Sequence, residues 1–251
     1  KIWRAIVPHL PTFILEHLFA FGNRRFMEIE GNAFCCSKLC YTIFCTGLSN
    51  LICGGPKRMC GRYQFTAEQC EEIRQIAEAI QRKYGKDSWT PGEIRPTNHA
   101  PVLVAASDSS APQLMKWGYQ LPNSLVINAR AETATGKPLF RESIGSRRCL
   151  IPSTGFYEWD RNKRKYLFTL PGEPVLYMAG LYDRRDGEDC YCILTTAPNA
   201  SMLPVHDRMP LVIPRGKMQD WLIDGTSALS MLSMRPPELM RQSTETQMSL
   251  W

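Results

Sequence analysis

Residues 149–196 read CLIPSTGFYEW (149–159), DRNKR (160–164), KYLFTL (165–170), PGEP (171–174), VLYMAGLY (175–182), DRRDGED (183–189) and CYCILTT (190–196). Apolar or alternating runs are parted here by short clusters of Asp, Arg, Asn, Gly and Pro, the punctuation of strands that turn back on one another. The same texture extends outward to 101–105, 113–119, 125–131 and 209–213, each read as a strand. Upstream, Thr66 followed by Gln69 forms a capping-box pattern, and Ile73, Ala77, Ile80 and Tyr84 recur at helical spacing until Gly85, which predicts a helix over 67–84. A short helix is expected over 215–222, and no element is assigned from Ser227 onward. Strands that do not alternate with helices exclude a stack of βαβ units. They predict an α+β domain: a curved, largely antiparallel mixed β-sheet, barrel-like, with a few flanking helices.

The 251-residue chain is 44% apolar and 22% charged, ordinary globular usage that excludes a disordered or fibrous chain. No window holds the roughly 18 consecutive apolar residues of a membrane-spanning helix. The formal charge of +6 accommodates a polyanionic partner without requiring one. Usage is uneven along the chain. Residues 1–59 carry seven Lys+Arg against three Asp+Glu, and five cysteines (Cys35, Cys36, Cys40, Cys45, Cys53), as many as the remaining 192 residues. Those cysteines lack the paired spacing of a zinc site, and nothing marks a disulfide framework. Apolar runs broken by Pro8, Pro11, Lys38 and Gly47 show neither helical nor strand period, so residues 1–58 read as an extension and 59–251 as the domain.

Four blocks embed polar groups in strand-like text: Met59-Cys60-Gly61-Arg62, Asn128-Ala129-Arg130-Ala131-Glu132-Thr133, Gly155-Phe156-Tyr157-Glu158-Trp159 and His206-Asp207-Arg208-Met209-Pro210. Singly, each has an ordinary structural reading: Cys60 as a small buried hydrophobe, Asn128 in a turn, Glu158 paired with an arginine, His206 satisfied in a loop. In this order, and with Arg95-Pro96-Thr97-Asn98-His99-Ala100-Pro101, Trp117-Gly118-Tyr119 and Thr195-Thr196-Ala197, residues 59–222 resemble the SRAP family (SOS response-associated peptidase), abasic-site sensors of bacteria and eukaryotes. The family pattern begins with an initiator methionine and a catalytic cysteine, so the resemblance implies that Met59 is the start and Cys60 the mature N-terminus.

An N-terminal cysteine is a 1,2-aminothiol, able to capture an aldehyde first through the amine as an imine and then through the thiol as a thiazolidine. The α-amine, with a reference pKa of about 7.7–8.0, keeps a neutral nucleophilic fraction near neutral pH, and the thiol, at about 8.5, lies within reach of activation. An abasic deoxyribose supplies the aldehyde when its ring opens. The resemblance implies a DNA–protein crosslink at abasic sites in single-stranded DNA, with Cys60 as covalent nucleophile, Asn128 positioning the amino terminus or sugar, Glu158 moving protons during ring opening and imine formation, and His206 assisting proton transfer. It further implies phosphate contacts at Arg62 and Arg130, a substrate path bordered by Asn98 and Pro101, and DNA contacts at Trp117 and Lys137. No cofactor and no metal are expected. The chain is expected to act as a monomer away from membranes, in a bacterial cytoplasm or a eukaryotic nucleus.

Two other classes stay open on the sequence. An N-terminal-nucleophile cysteine hydrolase would use the same α-amine as a general base after self-removal of residues 1–59, and would turn over instead of remaining attached to an aldehyde. A single-strand binding module without chemistry would need many exposed aromatics and a broad basic groove.

Overall fold

The computed structural model describes residues 61–106 and 109–244, and within it the chain is a mixed α+β domain as the strand texture predicts. Among the described residues no helix is long and apolar enough to cross a membrane. Met59 and Cys60 lie outside the described residues, as do residues 1–58.

One sheet closes on itself. Strands β3 (His99–Ala105), β4 (Ser110–Trp117), β8 (Arg148–Ser153), β11 (Leu176–Arg185) and β12 (Glu188–Thr196) form a ring in the order β11-β8-β3-β4-β12, and β12 pairs back onto β11. Every contact in the ring is antiparallel except β12 with β4. Strand β12 also carries β7 (Asn128–Arg130) in parallel and β13 (Met209–Pro210) antiparallel. Surrounded by strands, CYCILTT (190–196) is buried throughout, which explains its unbroken apolar run. Where β11 passes between β8 and β12, Gly180 leaves no room for a side chain: a Cβ would meet Ile151, and would lie 2.9 Å from Cys149 Sγ and 3.0 Å from the Cys192 carbonyl.

A second, five-stranded antiparallel sheet runs in the order β14-β10-β9-β1-β2, from β1 (Tyr63–Phe65), β2 (Gly92–Ile94), β9 (Gly155–Trp159), β10 (Lys165–Thr169) and β14 (Met240–Ser243). The stretch 149–159, expected as one strand, is therefore two strands in two sheets. The break falls at Thr154. Its N–H bonds to the Gln64 carbonyl at 2.8 Å, and the Ser153 hydroxyl, whose oxygen accepts the Gly155 N–H at 3.1 Å, bonds the same carbonyl at 3.0 Å. A Cβ on Gly155 would stand 2.9 Å from the Phe168 carbonyl, so the crossing is tight. The hairpin of β5 (Tyr119–Leu121) and β6 (Ser124–Val126) belongs to neither sheet.

Helix α1 (Glu71–Tyr84) buries Ile73, Ile76, Ala77 and Ile80 and ends at Gly85, whose φ of 96° suits only glycine well. The expected capping box is not formed. Thr66 makes no side-chain cap, residues Ala67–Gln69 wind as a 3₁₀ turn, and extended Cys70 interrupts before α1 begins. Short helices α2 (Ala131–Ala134), α3 (Pro138–Ser146), α4 (Met218–Ile223) and α5 (Gly225–Met231) complete the domain.

Candidate functional site

A cavity of about 690 Å³ opens where the two sheets and the β5–β6 hairpin meet. Its lining includes Gly61, Arg62, Arg95, Asn128, Glu158 and Trp159. Two of the sequence blocks reach it by strand alternation. On β9, Phe156 and Glu158 face inward, whereas Tyr157 and Trp159 are half-exposed, so Glu158 is a carboxyl with only 3% exposure set in a cavity wall. Pairing of Tyr63 with Phe156 continues through the Tyr157 N–H to the Arg62 carbonyl at 2.9 Å, which carries the segment before β1 along β9 toward Glu158.

The opposite wall comes from the barrel. Parallel pairing sets Asn128 beside Ile193 and Arg130 beside Thr195, with Ala129 buried between them. Asn128 and Arg130 thus share a face, one lining the cavity and the other exposed, and Arg130 has no ion pair among the described residues. The start of β7 is fixed by the Ile127 carbonyl, which accepts the Ile193 N–H and the Trp117 indole N–H, both at 3.0 Å.

His206 is buried and belongs to the loop between β12 and β13. Its Nδ1 accepts the Arg208 backbone N–H at 3.2 Å and lies 3.1 Å from an Asp207 carboxylate oxygen. This loop is tied to the Asn128 block by a bidentate ion pair: Arg208 Nη1 and Nη2 donate to the two Glu132 oxygens at 2.7 and 2.8 Å, and Nη2 also donates to the Thr195 carbonyl at 2.6 Å. The Arg208 bonds hold the Glu132 carboxyl below the usual carboxylate range, against a smaller opposing effect of burial. His206 does not itself line the cavity.

At the mouth, three cations share one carboxylate. Glu93 Oε1 accepts from Arg95 Nε at 2.8 Å and lies 3.4 Å from Arg62 Nη1, while Oε2 accepts from Lys165 Nζ at 3.0 Å. Burial raises the Glu93 pKa, but Lys165 and Arg95, with the charge of Arg62, outweigh it and hold the group ionised below its ordinary range. The Arg62 guanidinium also sits 5.2 Å from the Trp159 ring centroid, and Lys165 Nζ 3.8 Å from that of Tyr157. Three positive charges against one negative leave this rim attractive to an anion.

Several residues singled out in the sequence have other places. Trp117 is fully buried, 6.2 Å from and parallel to Tyr191 and against Tyr63, so it offers no face to a nucleic-acid base and serves the core instead. Pro101 is buried inside β3. Asn98 is a turn residue: its side-chain oxygen accepts the Arg95 N–H at 2.9 Å, and through that bond it presents Arg95 to the cavity. Lys137 is exposed at the start of α3 and does not line the cavity. Arg95, Glu93, Lys165, Glu132 and Arg208 carry much of the geometry, although only their presence in the quoted blocks, for three of them, drew attention to them. Among the described residues no group of three or more His, Cys, Asp or Glu side chains could hold a metal ion.

Comparison with known proteins gives one consistent result. The abasic site processing protein YoqW of Bacillus subtilis is 34% identical over 187 residues, covering 65% of this chain and 80% of that protein. The abasic site processing protein YedK of Escherichia coli is 25% identical over 177 residues, covering 65% and 79%. A protein of Bacteroides thetaiotaomicron, solved by crystallography, shares the fold with a TM-score of 0.59 at 24% identity, covering 73% of this chain and 91% of its own. The model of one family, SOS response associated peptidase (SRAP), matches residues 59–250, and the chain belongs to that family.

Proposed function

We propose that this protein processes abasic sites in single-stranded DNA by forming a covalent adduct through Cys60. The observation that carries the reading is the pair Asn128 and Glu158, brought from separate sheets to one cavity whose lining includes Gly61. Cys60 immediately precedes Gly61 in the sequence. The relatives named abasic site processing proteins support the substrate class.

In this mechanism the Cys60 amine adds to the C1′ aldehyde of the opened deoxyribose and expels water to give an imine. The Cys60 thiolate then adds to the imine carbon while the nitrogen takes up a proton, closing the thiazolidine. Glu158, buried in the wall, exchanges protons with the sugar hydroxyl and the departing water, and Asn128 holds the amine or sugar by hydrogen bonds. His206 assists proton transfer. Arg62 and Arg130 bind flanking phosphates. All these groups belong to one chain, so a monomer suffices, and the work lies wherever the DNA is. Residues 1–58 are no part of the working protein, because a peptide bond to Met59 turns the Cys60 amine into an amide with no nucleophilic lone pair.

The test compares protein started at Lys1 with protein started at Met59, both termini being read by mass spectrometry, on single-stranded DNA with and without one abasic site. A denaturation-resistant adduct is expected only for a free Cys60 terminus on abasic DNA. Cys60→Ser should abolish it, and Glu158→Gln should slow it by about 10²- to 10⁴-fold. An intact Lys1 chain that crosslinks through Cys60 would overturn the mechanism, and turnover of an amide without adduct would replace it by hydrolysis.

A further inference from the structure

We propose that the turn joining β9 to β10, residues 161–164, is a second phosphate-binding surface that carries the DNA strand away from the cavity. This rests on the abasic-DNA reading above and extends its footprint to residues that reading does not use. The turn follows directly on Trp159, which lines the cavity, and returns as Lys165 opposite Trp159 in the β-ladder.

Its sequence is Asp160-Arg161-Asn162-Lys163-Arg164, and its acidic member is occupied by the turn itself. One Asp160 carboxylate oxygen accepts the Asn162 and Arg164 N–H groups at 2.8 and 3.0 Å, and the other accepts the Tyr166 hydroxyl at 3.3 Å. Backbone bonds close the loop from Lys163 N–H to the Asp160 carbonyl at 3.0 Å and from Asp160 N–H to the Arg164 carbonyl at 3.1 Å. Arg161, Lys163 and Arg164 are exposed, and none of them makes an ion pair among the described residues. On the far side of β10, exposed Arg241 of β14 lies 5.4 Å from the Tyr166 ring centroid, adding charge of the same sign.

Lys163 has a φ of 65°, in the left-handed region that glycine and asparagine occupy at little cost, yet the sequence puts a long cation there. The turn's own hydrogen bonds hold that conformation, and the exposed tip leaves the Lys163 side chain in solvent. The turn is rigid in its hydrogen bonds and presents three long cationic side chains outward, a suitable form for a chain of phosphates. Because the Lys163 N–H bonds back to the Asp160 carbonyl, the turn keeps Lys163 within about 7 Å of Asp160 and hence within about 11 Å of Trp159, about three nucleotides along a strand.

The experiment measures binding of undamaged single-stranded oligonucleotides against salt, using the Met59-start protein and its Arg161→Ala/Lys163→Gly/Arg164→Ala variant. Loss of three phosphate contacts should reduce the slope of log K against log salt by about 2, so the advantage of the unmodified protein on a 20-mer should shrink roughly 20-fold between about 50 and about 200 mM salt. A dinucleotide, too short to reach from the cavity to the turn, should bind both proteins equally, and adduct formation on saturating abasic DNA should be unchanged. Lys163→Gly alone should raise the melting temperature while lowering the slope by about 0.7. An unchanged slope in either variant, or an equal loss on the dinucleotide, overturns the turn as a phosphate track while leaving the abasic-DNA reading intact. Failure of the unmodified protein to bind or crosslink DNA overturns both.

Discussion

The ion pair between Glu132 and Arg208 joins the strand that bears Asn128 to the loop that bears His206, so replacing Glu132 by Gln isolates what that link contributes. The substitution keeps the side-chain volume and one acceptor oxygen but removes the charge, and of the two short bonds of 2.7 and 2.8 Å it loses one, because an amide NH2 cannot accept from the guanidinium. Charge-assisted bonds of this kind contribute about 1.5–3 kcal/mol each when buried. Arg208 is 16% exposed at its side chain but Glu132 is 42% exposed, and solvent screening at the glutamate end reduces the sum to about 1–2 kcal/mol. For a domain of this size that is a fall of about 2–8 °C in melting temperature. The pH dependence supplies the check. Because the folded-state pKa of Glu132 is depressed, its contribution is fully present above the unfolded pKa of about 4.3 and disappears as pH falls through the lower folded value. Urea titrations at neutral pH should separate Glu132→Gln from the unmodified protein by the full amount, and titrations in acid below the folded pKa should bring the two together. An equal difference at both pH values would show that the destabilisation is one of packing and that the charge is not the link. The adduct rate should fall with the neutral-pH stability, since both Asn128 and His206 lose a common support.

Glu93→Gln should raise affinity for single-stranded DNA several-fold at low salt and steepen its salt dependence, because Arg62, Arg95 and Lys165 would lose their internal anion; weaker binding in a titration would mean that Glu93 positions these cations for DNA and does not compete with it. Trp117→Phe should cost about 1–3 kcal/mol in urea denaturation, since the smaller ring leaves part of the core unfilled and the Ile127 carbonyl keeps only the Ile193 N–H, with no change in the salt slope of DNA binding; a change in slope would return Trp117 to the interface. Gly180→Ala should destabilise by about 1–3 kcal/mol in the same assay, because the new methyl would meet Ile151 and Cys149 inside the barrel, and a neutral result would show that β8 and β11 yield more easily than the packing indicates.

The antiparallel α+β character was legible because it rests on local punctuation: 165–170, 175–182 and 190–196 became β10, β11 and β12 within a few residues of their expected bounds. What local pattern does not encode is which sheet a strand joins. The run 149–159 does hold Pro152-Ser153-Thr154-Gly155 at its middle, but such a cluster does not say whether the two halves pair with each other or part, and the tight passage at Gly155 beside β10 goes with their entry into different sheets. Strands β1, β2 and β14 are three or four residues long, too short for alternation to declare itself. At the site, Asn128 and Glu158 were found from motif resemblance, whereas Trp117 and Pro101 belong to the same motifs for the sake of the core. A motif records both kinds of residue alike, and only their placement, against the cavity or inside the core, separates them. Glu93 and Lys165 were invisible because their importance is in their pairing, across 72 positions of sequence.

Strand β1 lies between β9 and β2, and its Tyr63 pairs with Phe156, 93 residues later (156 − 63). During synthesis at about 5–20 residues per second, β1 therefore waits roughly 5–20 seconds for a neighbour on its β9 side. For that interval the wall that bears Glu158 is missing beside Arg62, so the cavity is completed late in synthesis. A slower ribosome would lengthen that window without altering the finished fold.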